Sequence, residues 1–331
     1  MRYVIIGGSA AAIGCIEGVR SVDKTGEIIL ITGETEWNYS RPLISYLLEG
    51  KTTRDKMWCR PDSFFTRNGV TVKAGVLATT LDAGDRTVRL STGERLAYDR
   101  LLAATGSRPF VPPIPGLETV ERTFCFQTLS DASALAEALR PESRVLILGA
   151  GLTGVKCAEG IRGLCAQIAI ADLAPRVPPA VLDDTAAAMV QARQEEKGVR
   201  FYLNDSAAAF RGNTARLQSG TELEFDVLVT AVGVRPNTQL VADAGGAVDR
   251  GILVDGRCAT TLPDVYAAGD CAQGYDAVSG EKRMLPLWPN AVLQGETAGI
   301  NMAGGSADYT HGHGLTPSGV FGLDMDKAGR L

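Results

Sequence analysis

The sequence predicts an α/β protein with two Rossmann-like dinucleotide-binding domains. A strand–glycine turn–helix–strand unit opens the chain, and a second unit of the same kind begins at Arg144. The length agrees, because 331 residues are enough for about two domains with cores of their own. Short alternating strands, such as Val70–Lys73 and Arg86–Leu90, lie between the two units.

The first unit has a relaxed glycine turn. Its predicted elements are a strand at 2–7, a helix at 10–22 and a strand at 27–31. In such a turn the first glycine makes the bend, the second lets a pyrophosphate approach, and the third position needs a small residue. Gly7 takes the first position, and Ser9 and Ala12 replace the other two glycines. Glu34 follows the second strand as the acid that would bind ribose hydroxyls.

The second unit fits the dinucleotide pattern fully. Its predicted elements are a strand at 144–148, a helix at 155–164 and a strand at 167–171. Gly149, Gly151 and Gly154 form the turn, and Asp172 stands at the tip of the second strand. A carboxylate there would repel a 2′-phosphate, which favours NADH over NADPH. Arg176, a little further on, keeps NADPH open as the alternative.

Composition excludes several classes of protein. The formal net charge of −5 argues against nucleic-acid binding through bulk charge and against a polybasic membrane surface. No apolar run approaches the length of a membrane span, and no signal-peptide pattern opens the chain, so we expect a cytoplasmic protein. Seven scattered cysteines predict neither a disulfide scaffold nor an iron–sulfur site. Two histidines alone, His311 and His313, do not make a metal site, so none is predicted.

Up to about residue 305, the chain resembles the two-dinucleotide flavoproteins of the pyridine nucleotide–disulfide oxidoreductase superfamily. The motifs that carry the resemblance are the two glycine turns, Ala104-Thr105-Gly106, Ala231-Val232-Gly233 and Thr261–Asp270, in that order. The resemblance implies two three-layer (ββα) domains, the second inserted in the first. It implies FAD binding by residues 1–112 and 245–331, and NAD(H) binding by residues 113–244.

The resemblance also implies the cofactor-binding residues. For FAD they are Gly7, Ser9, Ala10, Ala11, Glu34, Arg41, Pro42, Val76, Ala104, Thr105, Gly106, Gly269, Asp270 and Trp288. For NAD they are Gly149, Gly151, Leu152, Thr153, Gly154, Asp172, Val232 and Gly233. Two alternatives stay open: Asp270 as a surface turn acid, and Trp288 as a core residue.

Two further segments narrow the group. Tyr39–Ser45 and Leu287–Ala291 are similar to segments of rubredoxin reductases, oxygenase ferredoxin reductases and the nitrite reductase large subunit. Ser9–Ala12, Arg41–Tyr46 and Lys156–Gly160 are similar to the FAD-containing NADH-acceptor subunits of phenylglyoxylate dehydrogenase and its relatives. The resemblance implies an FAD-dependent NADH:acceptor oxidoreductase with iron–sulfur or ferredoxin-type partners, within a hetero-oligomer.

The sequence departs from that group at the expected flavin–nicotinamide contact. In ferredoxin-reductase relatives a lysine after the Pro-Leu-Ser segment pairs with a glutamate beside flavin N5. The corresponding residues here are Tyr46 and Lys156. Our hypothesis is that Lys156 presents the cation at this contact, with Tyr46 as its neighbour and both in catalytic roles. The alternative is that Lys156 is a solvated helix lysine.

The segment from Thr35 to Leu48 contains no cysteine, which disfavours thiol-mediated chemistry. We therefore expect electrons to pass from NADH to the flavin and then to an outside acceptor. Two other functions stay open: a stand-alone reductase of a small acceptor, and a non-catalytic flavin-binding module. The relatives carry a further C-terminal interface domain, which we expect to be absent or truncated here.

Overall fold

The computed structural model describes residues 1–310, 312–314 and 316–327. In chain order the strands are β1 (Arg2–Ile6), β2 (Glu27–Thr32), β3 (Val70–Ala74), β4 (Ala78–Asp82), β5 (Thr87–Leu90), β6 (Arg95–Ala97), β7 (Arg100–Ala103), β8 (Ser107–Pro109), β9 (Thr123–Cys125), β10 (Arg144–Leu148), β11 (Gln167–Asp172), β12 (Val199–Leu203), β13 (Ala207–Arg211), β14 (Thr214–Leu217), β15 (Glu222–Glu224), β16 (Val227–Thr230), β17 (Val234–Pro236), β18 (Ile252–Leu253), β19 (Val265–Ala267), β20 (Ala272–Tyr275), β21 (Lys282–Met284), β22 (Thr316–Val320) and β23 (Leu323–Lys327). The α-helices are α1 (Ala10–Val22), α2 (Ile44–Leu48), α3 (Asp62–Arg67), α4 (Leu129–Ala138), α5 (Leu152–Ile161), α6 (Asp184–Glu195), α7 (Gln239–Asp243) and α8 (Trp288–Met302).

The first unit is built on a five-stranded parallel sheet in the order β19-β7-β1-β2-β3. Because side chains alternate along a strand, β1 serves two cores. Tyr3 and Ile5 pack with the helices α1 and α8 on one face, and Val4 and Ile6 pack with the antiparallel sheet β4-β5-β6 on the other. This gives three layers, with the carboxyl ends of the parallel strands at one edge.

Helices α1 and α8 lie side by side in the same direction. A Cβ on Gly14 or Gly18 of α1 would come within 2.1 or 2.2 Å of backbone oxygens of α8. A Cβ on Gly295 or Gly299 of α8 would come within 2.0 or 2.3 Å of backbone oxygens of α1. Glycine at these four positions therefore allows the backbones to touch, and the N-termini of both helices lie towards the same end of the unit.

The second unit repeats the plan with the parallel sheet β12-β11-β10-β16-β9. Val145 and Ile147 of β10 pack in a core with α4, α5 and α6, and Leu146 and Leu148 pack with the antiparallel sheet β13-β14-β15. The predicted fold class, two Rossmann-like three-layer units in one α/β chain, is confirmed. The helix predicted from Val155 begins earlier, at Leu152, because it starts directly after the glycine turn.

The chain crosses between the units at β8 and β17, which pair antiparallel. The predicted boundaries of the NAD(H)-binding domain follow residues 112 and 244. Both therefore lie on the C-terminal side of these crossing strands. Helix α7 was assigned to the second unit, but its Val241 is buried in the core shared by β4 and β5 of the first. The physical reason is that the chain has already returned to the first sheet by residue 239.

The C-terminal hairpin β22–β23 packs against a core that both units share. Residues 245–331 were assigned to the first unit. In the structure Val320, Phe321 and Met325 are buried in the core that contains α5 of the second unit. Tyr39, Ile44 and Met57 of the first unit join the same core, so apolar packing continues across the boundary between the units.

Candidate functional site

Helices α1 and α5, which follow the two glycine turns, begin without side-chain caps. Their N-cap residues, Ser9 and Gly151, make no side-chain hydrogen bond to the helix, and neither first turn contains an acid. Of the other described helices with eight or more residues, α4 is capped by Thr128 and α6 by Asp183, whereas α8 is also uncapped. Free N–H groups and the positive end of the helix dipole make an uncapped N-terminus suited to a phosphate.

The first turn brings backbone segments into close contact. Gly7 has a φ of +122°, and a Cβ there would lie 2.0 Å from the carbonyl oxygen of Ala104. Only glycine satisfies both conditions. Gly7 lines a cavity of about 370 Å³ together with Val76 and Thr105, two other residues predicted for FAD. The cavity lies at the carboxyl edge of the first sheet, where α/β folds bind nucleotides.

The predicted ribose acid, Glu34, lies close to several polar groups. Its Oε2 accepts a 2.5 Å hydrogen bond from the Tyr39 hydroxyl, and its Oε1 accepts one from Nη2 of Arg41. Arg41 also donates from Nη1 to the Gln127 carbonyl at 3.0 Å. The Glu34 side chain remains 32% exposed. Since a carboxylate offers about four acceptor sites, it retains capacity for ribose hydroxyls.

Asp270 lies in a short 3-10 helix directly after β19 and is partly buried there. Its Oδ2 accepts a 3.0 Å hydrogen bond from the Ser107 hydroxyl. Gln127 donates from Nε2 to the Ser107 carbonyl at 2.9 Å and approaches its Oγ at 3.1 Å. Burial raises the pKa of Asp270, while the Ser107 hydrogen bond and the charge of Arg41 act in the opposite direction.

The other residues predicted for FAD surround the same edge of the first sheet. The side chains of Ala10 and Ala11 are buried, so only their backbone N–H groups could serve a ligand. Gly269 donates its N–H to Oε1 of Gln294 at 2.8 Å. Trp288 is the first residue of α8 and is partly buried against the core beside α1. The remaining members of the set are Pro42 in a 3-10 turn at Arg41–Leu43, Ala104, and Gly106, whose φ is +66°.

The second turn also brings backbone segments into close contact. Gly149 has a φ of +109°, and a Cβ there would lie 2.4 Å from the Ala231 carbonyl oxygen. A Cβ on Gly154 would lie 2.0 Å from the carbonyl oxygen of Gly149. Gly151 meets nothing within 4 Å, so space is open at the position where a pyrophosphate would approach. Four predicted NAD residues flank this turn, namely Leu152, Thr153, Val232 and Gly233.

Asp172 binds the turn beside it. Its Oδ2 accepts a hydrogen bond from the N–H of Ala150 at 2.5 Å, and its Oδ1 accepts one from the N–H of Ala174 at 2.7 Å. Arg176, the residue that kept NADPH open, forms an ion pair with Asp184 at 2.7 Å and donates to the Pro179 carbonyl. Its guanidinium therefore contacts both its own loop and the start of α6.

Lys156 and Tyr46 are in contact, since the ammonium lies 4.2 Å from the centre of the tyrosine ring. The Lys156 side chain is only 12% exposed, which differs from a solvated helix lysine. It also differs from a free cation, because its ammonium is paired with Glu159 and donates to the Gly319 carbonyl at 2.9 Å. Glu159 is buried and accepts a 2.6 Å hydrogen bond from the Phe321 N–H.

All seven cysteines are free thiols. Cys59 and Cys165 are partly buried, and burial raises the pKa of each to about 11. Cys271 follows Asp270, but it is fully buried and donates to the carbonyl of Ala103. Since a reactive thiol needs a lowered pKa, none of these three is activated for redox chemistry.

Several polar groups at the site were not singled out from the sequence: Tyr39, Ser107, Gln127 and Glu159. Tyr39 stands in the Tyr-Ser-Arg-Pro segment, which is a usable sequence signal. Ser107 and Gln127 carry no local signal, because their side chains find partners between 20 and 163 residues away in the chain. Glu159 has one local partner, Lys156, but its other partner, the Phe321 N–H, is 162 residues away. Only the assembled fold brings these groups together.

The fold and the two turns define a two-dinucleotide oxidoreductase. The sequence profile of pyridine nucleotide-disulphide oxidoreductases matches residues 1–295, and the chain belongs to that family. The predicted family is therefore confirmed. As a member, the protein is an oxidoreductase that uses FAD and a pyridine nucleotide, and NADH is the nucleotide that its relatives favour.

Two relatives and one solved structure show how far the similarity reaches. The chain is 33% identical over 334 residues to NADH-dependent phenylglyoxylate dehydrogenase subunit epsilon of Aromatoleum evansii, covering 99% of this chain and 79% of the relative. It is 30% identical to the assimilatory nitrate reductase electron transfer subunit of Bacillus subtilis, covering 100% of this chain and 43% of that protein. The putidaredoxin reductase in its covalent complex with putidaredoxin superposes with a TM-score of 0.91 at 25% identity, covering 99% and 81%.

The residues fit both dinucleotides. Each glycine turn is followed by an uncapped helix, contains a glycine whose Cβ would clash with backbone, and lies beside a partly exposed carboxylate. The cavity lies at the first turn. Among the described residues no group of three or more potential ligands could hold a metal ion, and His311 lies outside them. In the same part of the chain, no helix is both long and apolar enough to cross a bilayer.

Proposed function

We propose that the chain takes a hydride from NADH onto FAD and passes the electrons to an iron–sulfur or ferredoxin-type protein, as one subunit of a larger redox assembly. The observation that carries this proposal is the pair of uncapped helices α1 and α5, each beside a carboxylate suited to a ribose. Glu34 stands by the first turn and Asp172 by the second. This is the arrangement that two dinucleotides need.

Each half of the site has a distinct task in this proposal. The N-terminus of α1 binds the FAD pyrophosphate, Glu34 the adenosine ribose, and Asp270 the flavin side of the cofactor. The N-terminus of α5 and Asp172 bind NADH. Bound FAD supplies the chemistry, because it accepts two electrons as a hydride and can release them singly. The protein positions the two cofactors and excludes water.

Lys156 and Tyr46 are proposed to lie at the border of the two sites. Lys156 belongs to the helix of the NADH turn, and Tyr46 belongs to α2 of the first unit. Because the Lys156 ammonium is paired with Glu159, we assign it the task of fixing α5 against Tyr46 as well as presenting charge. The pair joins the two units at the helix that carries NADH.

The electrons are proposed to leave to another protein because the thiols of Cys59, Cys165 and Cys271 are not activated. The Thr35–Leu48 segment beside Glu34 lacks cysteine, and buried Cys271 is engaged with backbone oxygens. Relatives named for electron transfer to nitrate reductase and to rubredoxin suggest the kind of partner. Free thiols throughout fit a reducing compartment, and we propose the cytoplasm.

Anaerobic titration of the purified, FAD-loaded protein tests the first half of this proposal. NADH should bleach the flavin absorbance near 450 nm stoichiometrically, and NADPH should do so at least about tenfold more weakly, because Asp172 repels the 2′-phosphate. A flavin that neither nucleotide bleaches would contradict the proposal and favour a non-catalytic module. Equal bleaching by NADH and NADPH would contradict only the proposed role of Asp172 in excluding NADPH, and the rest of the proposal would stand.

Electron transfer to a plant-type [2Fe–2S] ferredoxin tests the second half. Ferredoxin reduction should accompany NADH oxidation, and iron–sulfur subunits should co-purify with the chain from its own cells. Rapid reduction of a small quinone with no transfer to ferredoxin, together with a chain that purifies alone, would favour the stand-alone reductase.

A further inference from the structure

Tyr39 makes one hydrogen bond within the first unit and one to the second. Its hydroxyl donates to Oε2 of Glu34 at 2.5 Å and accepts from the backbone N–H of Leu129 at 3.0 Å. Tyr39 is 3% exposed, and Leu129 opens α4 of the second unit. Burial raises the pKa of Tyr39, so the hydroxyl keeps the proton that it donates.

This arrangement fixes the orientation of the Glu34 carboxylate. Tyr39 holds one of its oxygens and Arg41 the other. Arg41 is itself fixed by the Gln127 carbonyl, two residues before Leu129. Both groups that hold Glu34 are therefore anchored on the segment 127–129 of the second unit. The exposed remainder of Glu34 is left for a ligand.

The same segment reaches the other end of the predicted FAD site. The Gln127 side chain donates to the Ser107 carbonyl, and the Ser107 hydroxyl donates to Asp270. Since a carbonyl only accepts, the Gln127 amide nitrogen must face Ser107. The segment 127–129 thus lies behind Glu34 and Asp270 together, although it belongs to the unit that the sequence assigned to NAD(H).

We propose that Tyr39 is a positioning residue for FAD: it holds Glu34 for the adenosine ribose, and its bond to the Leu129 N–H makes FAD affinity depend on the docking of the second unit. This inference rests on the proposed function, because it takes the first turn as the FAD site. In this proposal the segment 127–129 of the second unit supports FAD binding, although it lies outside the FAD-binding domain.

A double-mutant cycle on FAD affinity tests the role of Tyr39. FAD binding to apoprotein is measured by quenching of flavin fluorescence. Tyr39→Phe removes the hydrogen bond to a charged group and should raise the FAD dissociation constant about tenfold. In a Glu34→Ala background the same change should cost less than about twofold, since Tyr39 then has nothing to position. Tyr98→Phe is the matched control, because Tyr98 is also 3% exposed in the first unit and its hydroxyl has no partner.

A second pair of variants tests the link to the second unit. Leu129→Pro removes the backbone N–H that donates a hydrogen bond to the Tyr39 hydroxyl. The substitution lies at a first-turn position where α-helices tolerate proline. Leu129→Ala removes the same buried side chain but keeps the N–H. FAD should bind several-fold more weakly to the proline variant than to the alanine variant.

The outcomes separate the inference from the proposed function. If wild-type apoprotein binds FAD and Tyr39→Phe binds it equally well, the inference is overturned and the proposed function stands. An equal loss in the wild-type and Glu34→Ala backgrounds also overturns the inference, because Tyr39 would then act without Glu34. Equal affinities of the two Leu129 variants overturn the link to the second unit. A wild-type protein that binds no FAD overturns both.

Discussion

Replacing Lys156 by methionine should destabilise the second unit strongly. The Lys156 and Glu159 side chains are 12% and 3% exposed, so their ion pair is largely removed from water. Methionine keeps the apolar stem but not the ammonium. Glu159 would keep the 2.6 Å hydrogen bond from Phe321 and lose its counter-charge. Breaking a buried pair in this way costs about 3–5 kcal/mol of unfolding free energy.

Urea unfolding of the FAD-loaded protein, followed by circular dichroism, measures this change. The double variant Lys156→Met/Glu159→Gln is the control, because it removes both charges and leaves no bare carboxylate. It should recover most of the lost stability. A Lys156→Met protein within about 1 kcal/mol of wild type would refute the reasoning, since an unpaired buried charge costs more than that. So would a double variant as unstable as the single one.

Four further predictions concern the two sites and the thiols. Lys156→Ala should slow flavin reduction by NADH in stopped-flow measurements, and an unchanged rate would remove Lys156 from the catalytic assignment. Asp172→Ala should weaken NADH binding about tenfold and narrow the preference over NADPH, as measured by titration with each nucleotide. Gly149→Ala should impair folding, because its Cβ would lie 2.4 Å from a backbone oxygen, whereas Gly151→Ala, with nothing within 4 Å, should fold normally and lose NADH affinity. Cys59→Ser should keep full NADH-dependent activity, and alkylation of Cys59 in the native protein should accelerate about tenfold per pH unit from pH 8 towards its pKa of about 11, since burial favours the neutral thiol.

Local sequence patterns determined most of the fold and the location of the two turns. Helix α1 was predicted with the bounds that the structure shows, and β10 likewise. Such elements can be predicted from sequence because their apolar periodicity and bounding glycines lie within a few residues of one another. The roles of Gly7 and Gly149 in the turns could also be predicted, because the positive φ at each glycine is a local property of the backbone.

The domain boundaries were harder to predict from the sequence. The second crossing of the chain lies at β17, and α7 already belongs to the core of the first unit. A five-residue helix carries too little pattern to show which sheet it covers. The hairpin β22–β23 likewise could not be assigned to a unit from sequence, because its partners on α5 lie more than 150 residues away.

The sequence by itself determined the fold class, the family and the two dinucleotide turns, because strand, turn and helix signals are short-range. The tertiary structure decided how the charged groups are used. It paired Lys156 with Glu159 rather than leaving a free cation, and it connected Glu34 through Tyr39 to Leu129 in the other unit. Such choices depend on which groups share a buried space once both sheets are packed, and a buried charge takes the partner that the assembled core provides.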